Sequence, residues 1–422
     1  MAYKYEHFIP QNTAPNGVKR IGVYDSAGKR VCGISLGGLT PPTGEKLYSF
    51  GLVSDCHVAQ SLTSANSSNK LKNALSYFTS QGCIMVMGCG DFTNVGFYRK
   101  NEGTTDITIG NNVIPNRAEV VVAPKETYYD ECQVTAYSNI IQNSEIPVFE
   151  IFGNHENYNG KSVFDETTID GVVYNSLARA KALTGVPYTA YTVSSDADTD
   201  DVVGTTTRPN RQMSSIGDDL FIMVGQSVSA KPMSADDLTW LENILAANEN
   251  RRCFIFIHSF IDDDWSDTTG RTAEDNDGYV ISDSGNPCGA RGNAIVGWWE
   301  DYDRESLNRF LNALKKAPNA VLFHGHSHMK FESQEHDECA NYTDKNGFKS
   351  VHVPSLGSPR TLIPNSEGVY DGSWTTNKGS DNYTESDSQC YVVDVYDDCI
   401  VLKGMDMTAG EQLVIATYKI MT

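Results

Sequence analysis

Residues 321–330 read VLFHGHSHMK. An apolar run, Ala320 to Phe323, gives way to His324, His326 and His328 at alternate positions, three of the nine histidines in the chain. Side chains alternate faces along a strand, so positions i and i+2 point the same way. His326 and His328 are therefore aimed at one point, or at two neighbouring points, beyond a strand end. Imidazole is the commonest metal ligand among side chains.

The same placement recurs upstream. YSFGLVSDCH ends in Asp55 and His57, again at i and i+2. IMVMGCGD ends in Asp91, VFEIFGNHE in Asn154, His155 and Glu156, and CFIFIH in His258. Five apolar runs thus close on metal-ligand residue types and use five of the nine histidines. In open α/β sheets, ligands gather beyond the carboxyl ends of the strands. All five sets are expected to meet there.

The segments between these runs fit an α/β reading. NKLKNALSYFTSQG carries Leu71, Leu75 and Phe78 at helical spacing, with Gly82 at the C-terminal cap. KETYYDECQVTAYSNIIQ is a further helix candidate, and SADDLTWLENILAANEN opens with Ser234 and Asp237 in capping-box spacing. DRESLNRFLNALKKA precedes the histidine-rich run. Strands alternating with helices predict a mainly parallel sheet. Residues 1–45 form a small β preamble and linker, with two strand patterns around a Ser-Ala-Gly turn. Residues 46–422 carry the α/β pattern and a β-rich tail, CYVVDVYDDCIVLKGMDM and LVIATYKI. Two Asp-, Gly- and Ser-rich stretches, 261–297 and 364–389, interrupt the rhythm. The first is expected to form a lid or wall that sets substrate choice.

Composition excludes some functions. A formal net charge of −21 argues against a nucleic-acid duplex groove, which needs a basic stripe. It does not argue against small phosphorylated substrates, because a metal site supplies local positive charge. No apolar run approaches the roughly 20 residues of a membrane span. The N-terminus has no apolar segment of the kind a signal peptide needs, so cytoplasmic localisation is the default expectation. The ten cysteines include no C-x-x-C pair. Cys83, Cys253 and Cys399 sit in or beside apolar runs and are expected to be reduced core residues. Cys390 and Cys399 flank an expected hairpin, and a disulfide between them is an open alternative.

Taken together, D-x-H, G-D, G-N-H-E, an isolated His and G-H-x-H resemble the calcineurin-like metallophosphoesterases over roughly residues 47–360. The resemblance implies a sandwich of two mixed β-sheets flanked by helices, around a dinuclear metal centre. It implies Asp55, His57, Asp91 and His328 as ligands of a first ion. Asp91 would bridge to a second, completed by Asn154, His258 and His326. It gives His155 the role of acid to the leaving group and leaves Glu156 outside the ligand set. Where many relatives read G-D-x-x-D, this chain has Asn94. An Asn oxygen accepts an imidazole N–H and fixes its orientation, but does not stabilise imidazolium as a carboxylate does. Arg360, in SLGSPR, is a candidate phosphate contact.

The residue types suit the chemistry independently. Carboxylate and amide oxygens mixed with imidazoles fit Mn, Fe or Zn better than Ca. Two ions about 4 Å apart clamp the attacking and leaving oxygens of an in-line displacement. The expected reaction is hydroxide attack on a small phosphate mono- or diester, with His155 protonating the departing oxygen. The alternative is a non-catalytic protein of phage-tail type carrying the same fold, since the preamble has the look of such chains. Location in a phage particle would accompany it. His324 is expected only to end its strand, and His7, His336 and His352 to lie outside any cluster.

Overall fold

Strand Lys46–Val53 faces two ways. Phe50 and Leu52 enter one hydrophobic cluster and Val53 another, as alternation along a strand buried on both sides requires. This division runs through the computed structural model. It describes chiefly residues 42–58, 66–92, 143–155, 211–226, 235–259, 304–326, 347–357, 388–407 and 413–422, with short strands and single positions between them.

In chain order, β1 (Lys19–Tyr24) and β2 (Arg30–Leu36) form an antiparallel hairpin, the expected preamble pair. β3 (Lys46–Val53) leads to α1 (Asn66–Ser80), whose Leu71, Leu75 and Phe78 are buried. Gly82 ends that helix in the left-handed conformation, φ 72°. Next come β4 (Val86–Gly88), the short pair β5 (Ile107–Ile109) and β6 (Asn112–Ile114), and β7 (Val148–Glu150). β8 (Glu166–Ile169) pairs with β9 (Val172–Asn175), and β10 (Arg211–Ile216) with β11 (Asp219–Val224). α2 (Ala235–Ala247) carries Asp236 and Asp237 in its first turn, where the helix dipole favours negative charge. β12 (Cys253–Ile257), the short pair β13 (Val280–Ile281) and β14 (Pro287–Cys288), and α3 (Arg304–Lys316) follow. The chain closes with β15 (Ala320–His324), β16 (Tyr342–Thr343), β17 (Lys349–His352), β18 (Gln389–Tyr396), β19 (Cys399–Asp406) and β20 (Leu413–Met421). Ser234, most of the helix candidate over residues 125–142, and all but the four residues of β13 and β14 in 261–297 lie outside the described residues. Among the described residues no helix is long and apolar enough to cross a membrane.

The expected mainly parallel sheet is in fact two six-stranded mixed sheets. Sheet 1 runs β20-β19-β18-β3-β4-β7 and sheet 2 runs β10-β11-β12-β15-β17-β16. Each has a parallel block, β3-β4-β7 in one and β11-β12-β15-β17 in the other. Of the antiparallel additions, β10, β16, β19 and β20 pair with sequence neighbours, but β18 joins sheet 1 through β3, a strand remote in sequence, which local periodicity does not encode.

Three apolar clusters define four layers. Phe50, Phe221, Phe254, Phe256, Phe323 and Tyr391 are among those filling the space between the sheets. Phe50 meets the four other phenylalanines at ring separations of 5.7–6.4 Å, edge-on to each, the geometry aromatic pairs prefer. A second cluster packs α1 on sheet 1, and a third packs α2 and α3 on sheet 2. The chain is thus a mixed α/β sandwich of two sheets flanked by helices.

At the N-terminal ends of the parallel strands, polar groups clasp the sheets together. Arg252, next to β12, donates to both oxygens of Asp219 at 2.7 Å and to the carbonyl of Tyr396 on β18. Tyr48 of β3 donates to the same Asp219 carboxylate. The opposite ends are left for the site.

All six cysteines with described side chains are buried free thiols, including Cys83, Cys253 and Cys399. The alternative pairing of Cys390 with Cys399 does not occur. Cys390 stands opposite Met405 and Cys399 opposite Met421, so the β18–β19 hairpin holds the two thiols at its two ends.

Candidate metal centre

Parallel strands β3, β4 and β7 of sheet 1 end beside β12 and β15 of sheet 2. Their carboxyl ends carry Asp55 and His57, Asp91, Asn154 and His155, His258, and His326 and His328. All but His155 are buried. Two groups converge. Ligand atoms of Asp55, His57, Asp91 and His328 lie within 4.8 Å of one another, as do those of Asp91, His258 and His326. Asp91 belongs to both.

The backbone is bent to achieve this. Among the described residues, the non-glycine positions with positive φ are Asp55 (49°), His57 (44°), Asp91 (53°), His326 (71°) and His328 (62°). Such left-handed positions cost ~1–3 kcal/mol each and concentrate at functional sites. They turn each side chain back over its strand end. Close approach also needs a missing side chain. A Cβ on Gly153 would lie 2.2 Å from Asp91 Oδ1, so the glycine of G-N-H lets the β7 loop reach β4. His155 then donates its main-chain N–H to that oxygen at 2.8 Å.

Around the shared carboxylate, His258 Nε2 lies 3.2 Å from Asp91 Oδ2, and His57 Nε2 and His155 Nε2 each lie 3.9 Å from it. His328 Nε2 is 3.1 Å from Asp55 Oδ1 and 3.0 Å from His57 Nε2. His258 Nε2 is 2.9 Å from Asn154 Oδ1 and 3.2 Å from His326 Nδ1. The other nitrogen of His258, Nδ1, lies 2.7 Å from the carbonyl of Cys89. A carbonyl only accepts, so Nδ1 carries the proton and Nε2 faces the site. Oxygens and imidazole nitrogens converging in this way fit divalent ions of the Mn, Fe or Zn type.

The charges are tightly coupled. Burial works against ionising Asp55, but His328, His258 and His57 hold its carboxyl well below the usual range. Asp91 is likewise held low against its burial, chiefly by His258 and His155. Burial lowers His57, with His328 and His155 adding to the effect. Burial pushes His326 down to about 3. Burial also opposes the charge on His258, yet the Asp91 carboxylate overrides it and raises this group to about 9.

Asn94, Glu156 and Arg360 lie outside the described residues. His324 ends β15 and joins neither ligand group, as expected. It is buried, its Nε2 lies 2.8 Å from Ser350 Oγ, and its ring packs 5.5 Å from that of His352. His352 belongs to neither ligand group, as expected, and the parallel register of β15 and β17 sets it beside His324. Sequence reading also missed Ser54, whose hydroxyl donates to Asp55 Oδ2, and Ser355, whose hydroxyl donates to the Asp55 carbonyl at 2.8 Å.

The calcineurin-like phosphoesterase family profile matches residues 48–330. The chain belongs to that family. The matched span takes in every residue of the two clusters. No curated protein matches this chain in sequence. Among solved structures, this calcineurin-like chain is similar to a dimetal phosphatase from Danio rerio. The identity is 13%, covering 89% of this chain and 99% of that one, with a TM-score of 0.44. It is also similar to GAP50, the anchor in the inner membrane complex of Plasmodium, at 11% identity, 89% of each chain and a TM-score of 0.42. A third is the purple acid phosphatase PPD1 of yellow lupin, at 11% identity, 96% of this chain, 59% of that one and a TM-score of 0.42.

Proposed function

We propose that this member of the family hydrolyses a small phosphate mono- or diester at a centre of two divalent metal ions. The observation that carries the reading is the sharing of Asp91 between two buried ligand groups, with His155 beside the same carboxylate. Asp55, His57, Asp91 and His328 would hold one ion, and Asp91, Asn154, His258 and His326 the other. Two such ions, when bound, supply Lewis acidity toward the phosphoryl oxygens and lower the pKa of a water.

The protein's own part is positional and protonic. Left-handed turns bring the ligand side chains together. The Cys89 carbonyl fixes the His258 tautomer. His155 is the only member of the group with a substantially exposed side chain, a quarter open to solvent. That exposure suits a group that meets substrate, and its Nε2 is the atom that would hand a proton to the departing oxygen. The test is hydrolysis of a panel of phosphate monoesters, diesters and cyclic nucleotides by Mn-loaded protein, with Asp91→Asn alongside. Turnover of at least one ester that disappears in the variant is expected. No turnover across the panel, with both ions bound, would favour the non-catalytic reading.

A further inference from the structure

Lys70 is the only lysine buried among the described residues. It lies on α1, one turn in from the positive end of the helix dipole, and no acidic residue occupies the first turn. Both burial and dipole disfavour an ammonium there. Its Nζ donates to the carbonyl of Gly357 at 2.6 Å.

That carbonyl belongs to a turn that grips the first ligand strand. Leu356 N–H donates to the Ser54 carbonyl at 2.9 Å and Gly357 N–H to the Asp55 carbonyl at 3.1 Å. Ser355 Oγ donates to the Asp55 carbonyl as well, at 2.8 Å. The turn therefore holds Asp55 by its main chain while Asp55 sits at φ 49°. On its far side the turn is held by Ser388, whose hydroxyl donates to the Leu356 carbonyl at 3.0 Å, and by Lys70.

We infer that Lys70 is a positioning residue for the first ligand group: it braces the 355–357 turn, which keeps Asp55 in its left-handed conformation. The inference rests on the dinuclear reading above. It predicts an asymmetric effect: these bonds end on Asp55 itself, whereas the second group is reached only through the His326 main-chain N–H, which donates to Asp55 Oδ2 at 2.9 Å, and none of them involves His258.

The test is Co(II) titration of metal-free protein, followed by d–d absorption, in two backgrounds. His258→Ala leaves the first ligand group intact, and His57→Ala leaves the second. Lys70→Met should weaken Co(II) binding about ten- to a hundredfold in the first background, the usual scale for outer-shell support, and clearly less in the second, where only the Asp55–His326 main-chain bond carries the change. Lys70→Arg keeps a donor and should restore most of the affinity. Lys349→Met, which removes a comparable lysine–carbonyl bond to Pro318 on the surface, should change neither. If Lys70→Met does not fold, Ser355→Ala removes one of the same supports and should act in the same direction. Equal weakening in both backgrounds, or a lowered melting temperature with unchanged Co(II) affinity, overturns the positioning role. Failure of the wild-type chain to bind Co(II) at all overturns the dinuclear reading, and the role of Lys70 falls with it.

Discussion

His155 engages Asp91 from two sides. Its main-chain N–H donates to Oδ1 at 2.8 Å, and its ring Nε2 lies 3.9 Å from Oδ2. The carboxylate common to both ligand groups is thus also the anchor of the candidate acid.

Asp91→Ala should therefore release both metal ions, while His57→Ala should weaken chiefly the first. Elemental analysis of metal-replete protein reads this directly. Two ions per chain in the wild type and fewer than one in Asp91→Ala is the expected result. An ion retained stoichiometrically in Asp91→Ala contradicts the shared-ligand assignment.

His155→Ala should keep both ions and lower turnover by roughly a hundredfold, the scale of general acid catalysis. The loss should shrink for a leaving group that needs no proton, such as nitrophenolate. The check is a comparison of kcat on an alkyl and a nitrophenyl phosphate ester. Equal losses on both would assign His155 to positioning instead.

Acid should destabilise the metal-free protein through the histidines that burial pushes down, His324 among them. Burial pushes His324 down to about 3, so the folded chain keeps it neutral while the unfolded chain protonates it near 6.5. The unfolded state then binds more protons, and stability is full above pH 6.5 and falls as pH drops toward 3. The contribution of one such group is ~1.4 kcal/mol per pH unit in that window. His324→Gln should flatten the slope of unfolding free energy against pH by about one proton. Urea titrations between pH 4 and 6 measure it, and an unchanged slope would exclude His324 as a source.

Phe50→Ala should cost about 3–5 kcal/mol, as expected for a large ring removed from a close-packed core. Phe50 is fully buried at the centre of the inter-sheet seam. Denaturant unfolding of the metal-free chain gives the value. A cost below about 1 kcal/mol would mean that the seam closes over the gap.

The ligand ends were legible in the sequence because the signal is local. An apolar run followed by Asp, Asn or His marks a strand end, and five such ends point to one edge of an α/β sheet. The helices α1, α2 and α3 were legible for the same reason. The division into two mixed sheets was not readable from periodicity, since β3 pairs with β18 and only distant register joins them. The partnership of His324 and His352 depends on the β15–β17 register in the same way. Lys70 did leave a trace, a lysine four residues before the buried Ala74 on an apolar stripe. Such a stripe usually takes a lysine only at its margin.

Sheet 2 draws all its strands from residues 211–352, whereas sheet 1 joins strands that precede that stretch to strands that follow it. During synthesis, sheet 2 is therefore complete before β3 can meet β18. Until then Phe50, Leu52 and the facing phenylalanines of sheet 2 lack their full cover, the kind of exposed apolar surface that invites aggregation. Ribosome-bound chains from which residue 352 has emerged but β18 has not should bind a hydrophobic dye, and chains with β18 to β20 in place should not. Strands β18 to β20 thus close the seam that β3 opened.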